Sequence, residues 1–142
     1  MAMNTTAKTE IVEQIDRSLR ALDERDFTEI RRYYTADVVA DYPIGRAEGL
    51  DRVIEQTEAG VLRYERTQHL GVNYLVDVGP DGHSATAGWN QICHHVHPGG
   101  DVFTVGARCR AELVQTDFGW QVKKTTMQVV WTTGRPPALV EV

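Results

Sequence analysis

The sequence predicts an α+β fold in which three N-terminal helices pack on the concave face of a curved, mostly antiparallel sheet. Three observations carry this expectation. Apolar residues recur at helical spacing through the first part of the chain and again near residues 50–57. From Arg63 onward the period falls to two and stays there almost to the end. Turns rich in Gly, Pro and Asp separate three long strands in that half. A meander of such strands curls only if something fills its hollow side, and the helices are the available filler. If they leave one end of the cone open, a pocket forms there.

Taken in order, Ile11, Ile15, Leu19 and Leu22 make the stripe of a first helix. Asn4, Thr5 or Thr6 can cap it, and it ends within residues 23–26. Asp26 with Glu29 three positions on forms a capping box for a short second helix striped by Phe27, Ile30 and Tyr34. Val38, Ala40 and Tyr42 then alternate as a short strand that Pro43 stops. Residues 45–49 read as a turn. Leu50, Val53, Ile54 and Thr57 mark a third helix that ends near Gly60. The strands that follow are Arg66–Val78, residues 85–96, residues 103–115 and residues 120–132, with an extended two-proline tail from Gly134. The 142 residues are expected to form one domain, with an ordered core over about residues 7–132.

Composition narrows the function classes. A net charge of -5 with no basic cluster argues against nucleic acid. Two cysteines, Cys93 and Cys109, are too few for a zinc knuckle or a disulfide scaffold. No apolar run is long enough to cross a bilayer, and residues 1–9 lack a signal-peptide core, so a cytoplasmic location is expected.

The chemistry centres on the strand Arg66–Val78. His69, Gly71 and Asn73 share one face, and Leu70, Val72, Tyr74 and Val76 share the other. The small and polar residues beside His69 leave room, as the lining of a pocket does, and an imidazole in a pocket can titrate near neutrality. The blander alternative is a half-exposed histidine satisfied by a neighbour. Pairing Gly79 with Gly82 sets Val76 opposite Ala85, Val72 opposite Trp89 and His69 opposite Ile92. Asn90, Ile92 and His94 then join His69 and Asn73 on the pocket face, and a one-residue bulge would replace His94 by His95. Tyr74, Trp89, Val129 and Trp131 fall on the convex face, where their burial calls for a second subunit in a homodimer or homotrimer.

His95 and His97 at strand spacing, with His69 or Asp101, are suitably placed to share a metal, but consecutive histidines beside a Pro-Gly-Gly turn read better as a wet strand end. Neither metal nor organic cofactor is expected, since no glycine-rich phosphate loop follows a predicted strand. Neither cysteine has a basic partner fixed by local sequence. Asp23 is the remaining candidate. An acid at a helix C-terminus opposes the dipole, and if buried it needs a cationic or hydrogen-bonding partner. A histidine from the facing sheet answers both needs.

Three pieces of the chain resemble, in order, the SnoaL-like branch of the NTF2-like superfamily. They are Ala21-Leu22-Asp23-Glu24-Arg25-Asp26-Phe27, Val39-Ala40-Asp41-Tyr42 and Arg66-Thr67-Gln68-His69. The pattern is most similar to the scytalone dehydratases and, more loosely, to the lindane dehydrochlorinases. The resemblance implies a cone-shaped α+β barrel in which Asp23 orients His69 as a general base. It also implies that Tyr42 hydrogen-bonds a substrate oxygen and that Cys109 stands at a substrate-contact position; Asn73, Asn90 and His94 or His95 are the further candidate contacts that the strand register supplies. The chain departs from the dehydratase pattern at Leu22, where a tyrosine stands, and at Cys109, where an asparagine stands. The second histidine of that pattern falls at Val96, one residue from both His95 and His97.

The expected function is that of a cofactor-independent lyase or isomerase acting on a small hydrophobic, cyclic or polyketide-like ligand. A non-catalytic binding or accessory module is the alternative. Epoxide hydrolysis by Asp41, Arg108 and Glu112 is a third reading that no spacing compels.

Overall fold

In a computed structural model, described over residues 2–138, the fold is three helices against a six-stranded, curved and unclosed mixed sheet. Helix α1 (Ala2–Asp23) buries Ile11 and Ile15. Thr5 and Thr6 lie inside this helix rather than capping it, and the side chain of Asn4 falls outside the described residues. Asp26 caps α2 (Phe27–Ile30) by accepting the Glu29 N–H at 3.0 Å, a contact worth ~1 kcal/mol. The reciprocal half of the expected box is missing, because Glu29 Oε1 instead accepts from Arg32 and Tyr33. A 3-10 turn, Arg31–Tyr33, follows α2.

Tyr34 opens strand β1 (Tyr34–Tyr42) rather than closing the helix stripe. The expected turn at residues 45–49 is strand β2 (Gly45–Glu48), which pairs back on β1 with Ala40 opposite Ala47. Helix α3 (Leu50–Leu62) runs through Gly60 and buries Val53, Ile54 and Val61. Strands β3 (Arg66–Val78), β4 (Ser84–Val96), β5 (Val102–Thr116) and β6 (Gly119–Gly134) form the antiparallel meander. The strand order is β2-β1-β6-β5-β4-β3, and β1 lies parallel to β6. The main core joins Ile11 and Ile15 to Val38, Val53, Ala87, Trp89, Leu113 and Trp120. A smaller cluster of Ala21, Ile30 and Ile54 holds the helices to one another. No helix among the described residues is long and apolar enough to cross a membrane.

The register of the β3–β4 hairpin differs from the expected one. Gly79 pairs with Ser84 across a longer turn, Val76 lies opposite Ala87, and His69 lies opposite Cys93. Between Val72 and Leu75 the register shifts, with Asn73 at φ 59°. An asparagine tolerates this left-handed conformation better than most residues. The bulge exchanges the faces of β3 along its length. Before it, Thr67, His69 and Gly71 face the helices; after it, Tyr74, Val76 and Val78 do. Tyr74 stacks on Trp89 at 5.8 Å and donates its hydroxyl to Asp16 on α1 at 2.6 Å. Tyr74 and Trp89 are therefore interior residues, not parts of a convex interface, while Val129 and Trp131 remain largely exposed.

Candidate active site

Asp23, the last residue of α1, reaches across to β3 and grips His69 twice. Its Oδ2 accepts the His69 backbone N–H at 2.7 Å, and its Oδ1 lies 2.6 Å from His69 Nδ1. The Thr67 hydroxyl also donates to Oδ1 at 3.0 Å. A carboxylate only accepts, so Nδ1 carries the ring hydrogen and Nε2 presents its lone pair. The imidazole is held at both its backbone and its ring, leaving little freedom to rotate. The His69 side chain is only 8% exposed and that of Asp23 20%, so the pair interacts away from most solvent screening.

On its far side His69 meets β4. Cys93 Sγ lies 3.1 Å from His69 Nε2 and 3.2 Å from His95 Nε2. His95 Nδ1 is 2.9 Å from the Phe103 carbonyl oxygen, so this nitrogen donates and its Nε2 is likewise bare. Burial holds the His95 ring below the ordinary histidine range. The Phe103 carbonyl offsets this in part, while the neighbouring rings of His69, His97 and His94 act in the same direction as burial. Burial, with the charge of Asp23 adding to it, pushes the Cys93 thiol up. The Tyr64 ring covers His95 at 4.5 Å and His97 at 5.1 Å. Arg25, at φ 58° just past α1, donates to the Tyr64 carbonyl at 2.6 Å and so ties this cover to the helix that carries Asp23.

The other expected contacts are distributed differently. Asn90 and His94 lie on the face of β4 opposite to Cys93 and His95, by the alternation of side chains along the strand, and His94 still borders the cleft that reaches His69. Asn90 is exposed and reaches Asn73 at 3.4 Å, so these two asparagines pair with each other at the bulge rather than beside His69. His94 Nδ1 lies 2.8 Å from the Thr104 hydroxyl. His97 is buried, with Nε2 2.7 Å from the Arg135 carbonyl. Tyr42 and Cys109 belong to the helix-facing interior further along the sheet. There the Tyr42 hydroxyl lies 3.5 Å from Thr125, and burial raises both the phenol and the Cys109 thiol to about 12. Asp41 makes an exposed ion pair with Arg46, while Arg108 lies opposite Asn90 and Glu112 opposite Thr86, so the three are not gathered around one point. Sequence reasoning missed Cys93 as a neighbour of His69, because only the true register sets the two opposite each other.

An open cleft of about 1600 Å³ runs between α1 and β3, the free edge of the sheet, and reaches Asp23, Thr67 and His69. Val12, Leu19, Leu70 and Val76 supply apolar walls, and Arg17, Arg20 and Arg66 supply positive charge near its rim. No grouping of three or more His, Cys, Asp or Glu side chains among the described residues is arranged to hold a metal ion.

The fold matches solved structures along nearly its whole length. A scytalone dehydratase-like protein from Novosphingobium aromaticivorans DSM 12444 superposes with a TM-score of 0.88 at 17% identity, covering 96% of this chain and 93% of that one. The Kfla4162 protein from Kribbella flavida gives 0.84 at 20% identity, with 92% and 95% covered. The hexachlorocyclohexane dehydrochlorinase LinA-type3 from Novosphingobium barchaimii LL02 gives 0.82 at 15% identity, with 94% and 93% covered. At these identities the likeness is one of fold. No curated protein sequence matches the chain. The SnoaL-like domain model, however, matches residues 3–126, which takes in α1, the bulged β3 and most of the sheet, and the chain therefore belongs to the SnoaL-like family.

Proposed function

We propose that this protein is a cofactor-independent lyase or isomerase in which His69, oriented by Asp23, removes a proton from a small cyclic or polyketide-like substrate. The observation that carries the reading is the double grip of one carboxylate on the backbone and ring of one histidine. A positioned base of this kind needs its Nε2 lone pair aimed and its imidazolium stabilised once the proton arrives, and a buried carboxylate on Nδ1 does both. The bond that breaks is a C–H next to an electron-withdrawing group, whose electron pair stays on the substrate as an enolate. Expulsion of a leaving group from the neighbouring carbon completes an elimination; return of the proton elsewhere completes an isomerisation.

The test uses proton–deuterium exchange at the activated carbon of cyclic ketones such as 2-tetralone, followed by NMR in D₂O. Exchange above the buffer rate is expected for the native protein. His69→Ala should remove it with the fold intact, and Asp23→Asn should slow it on the order of 10²-fold or more. A binding module without chemistry is the competing reading, favoured by the contact of Cys93 with the nitrogen that would take the proton. It forecasts ketone binding with no exchange in any variant.

A further inference from the structure

The line of three side chains His69–Cys93–His95 has a hydrogen deficit. Each ring has its Nδ1 hydrogen committed, to Asp23 in one case and to the Phe103 carbonyl in the other. Both Nε2 atoms are therefore bare in the neutral state, and both lie within hydrogen-bond distance of one sulfur. The thiol has a single hydrogen and can satisfy only one of them. One added proton removes the deficit: an imidazolium N–H donates to Sγ while the S–H donates to the other ring. A second added proton would leave the S–H without an acceptor and set two imidazoliums 6.2 Å apart between ring centroids.

We propose that Cys93 is a positioning residue that joins His69 and His95 into one unit built to hold a single proton, so that a proton taken up at His69 is stored on His95 and given back through His69. This rests on the reading of His69 as a base and extends it to the fate of the proton. With the S–H turned towards His95, the His69 lone pair is free to accept from the substrate carbon. The new His69 N–H then passes its proton to Sγ as the thiol passes its own to His95 Nε2. His69 is neutral again, the thiol is restored, and His95 is the acid. From there the proton returns along the same line to His69, the one of the three that lines the cleft, and passes to a leaving oxygen, which departs as water, or to another carbon of the same substrate.

Other groups facing the unit are few. Asp23 and Thr67 face His69. Tyr64, with Arg63 beside it, covers His95, and His94 and His97 are the remaining titrating neighbours on β4. Among the described residues, the hydrogen-bond contacts of the Cys93 sulfur are with His69 and His95.

Histidine titrations followed by NMR on isotope-labelled protein test the proposal without any substrate. In the native protein both rings should respond in the first protonation step, with the second proton entering only at distinctly lower pH. Cys93→Ala should lower the first midpoint by about one pH unit and confine that step to one ring. Cys93→Ser, whose hydroxyl can bridge as the thiol does, should restore the shared step. A native His95 that is silent in the first step overturns the proposal outright, whether or not the variants fold. So does a Cys93→Ala titration that matches the native one. A shared step in a protein that exchanges no ketone proton would leave the unit standing and remove the lyase or isomerase reading.

Discussion

Asp23 does two jobs with one carboxylate, and substitution separates them. Asp23→Asn keeps an acceptor for the His69 backbone but loses the charge that favours an imidazolium, so the loss falls on rate rather than on folding. Asp23→Ala also strands the buried His69 N–H and the Thr67 hydroxyl. An unsatisfied buried donor costs about 1–3 kcal/mol, and urea unfolding should show that cost in Asp23→Ala and little of it in Asp23→Asn. His95 makes a different forecast. Its ring is held below the ordinary range, so the unfolded chain takes up the proton first as pH falls through about 6.5. Its contribution to stability is whole above that pH and declines below it. His95→Gln should flatten the acid limb of stability plotted against pH. Of these residues, Asp23 and His69 were legible because each sits in a short stretch whose local pattern fixes its element and whose order matches a family. Cys93 was not, and His95 stood only as the alternative to His94, because which residue of a strand faces inward depends on a register that local sequence leaves open by one position.

That register is decided in β3. Helix and strand periods gave the four long strands to within two residues at each end and α1 and α3 to within about a turn, because each has a long amphipathic pattern. The bulge at Asn73 has no such signature. It turns Tyr74 and Val76 inward against α1, and the expected convex aromatic face disappears with it. Gly71 is the complementary device: a Cβ there would collide with the Tyr74 hydroxyl and crowd Leu19. Gly71→Ala should therefore destabilise the protein by about 1–3 kcal/mol through overpacking. It should also break the Tyr74–Asp16 hydrogen bond, which tyrosine fluorescence and urea unfolding would report together. The short strand β2 was missed for a related reason. Four residues alternate too briefly to outvote a turn-like Gly45–Gly49 composition, and it is pairing with β1 that makes them a strand.

Across the whole molecule, exposed apolar groups remain on the sheet: Leu70, Val72 and Leu75 at its β3 edge, where they border the cleft, and Val130 and Trp131 on β6. Trp131 lies over Gly106, the one residue type whose missing side chain admits an indole so close to the strand. We expect this stretch of β6 to be covered by a second or third copy of the chain. Sedimentation equilibrium at micromolar concentration should return a dimer or trimer, and a monomer would exclude the arrangement. The sheet order has a further consequence, in time rather than in space. Strand β1 leaves the ribosome early, yet its partner on the inner side of the sheet is β6, the last strand to be made. The β1–β2 hairpin has no sheet to join until β6 has emerged, and a two-stranded ribbon alone is at best marginally stable. Synthesis must therefore pass Gly134 before the hairpin and α3 can lock. Arrested nascent chains should resist protease in these segments only once β6 is clear of the exit tunnel, and the isolated protein should refold in the millisecond-to-second range typical of non-local pairing.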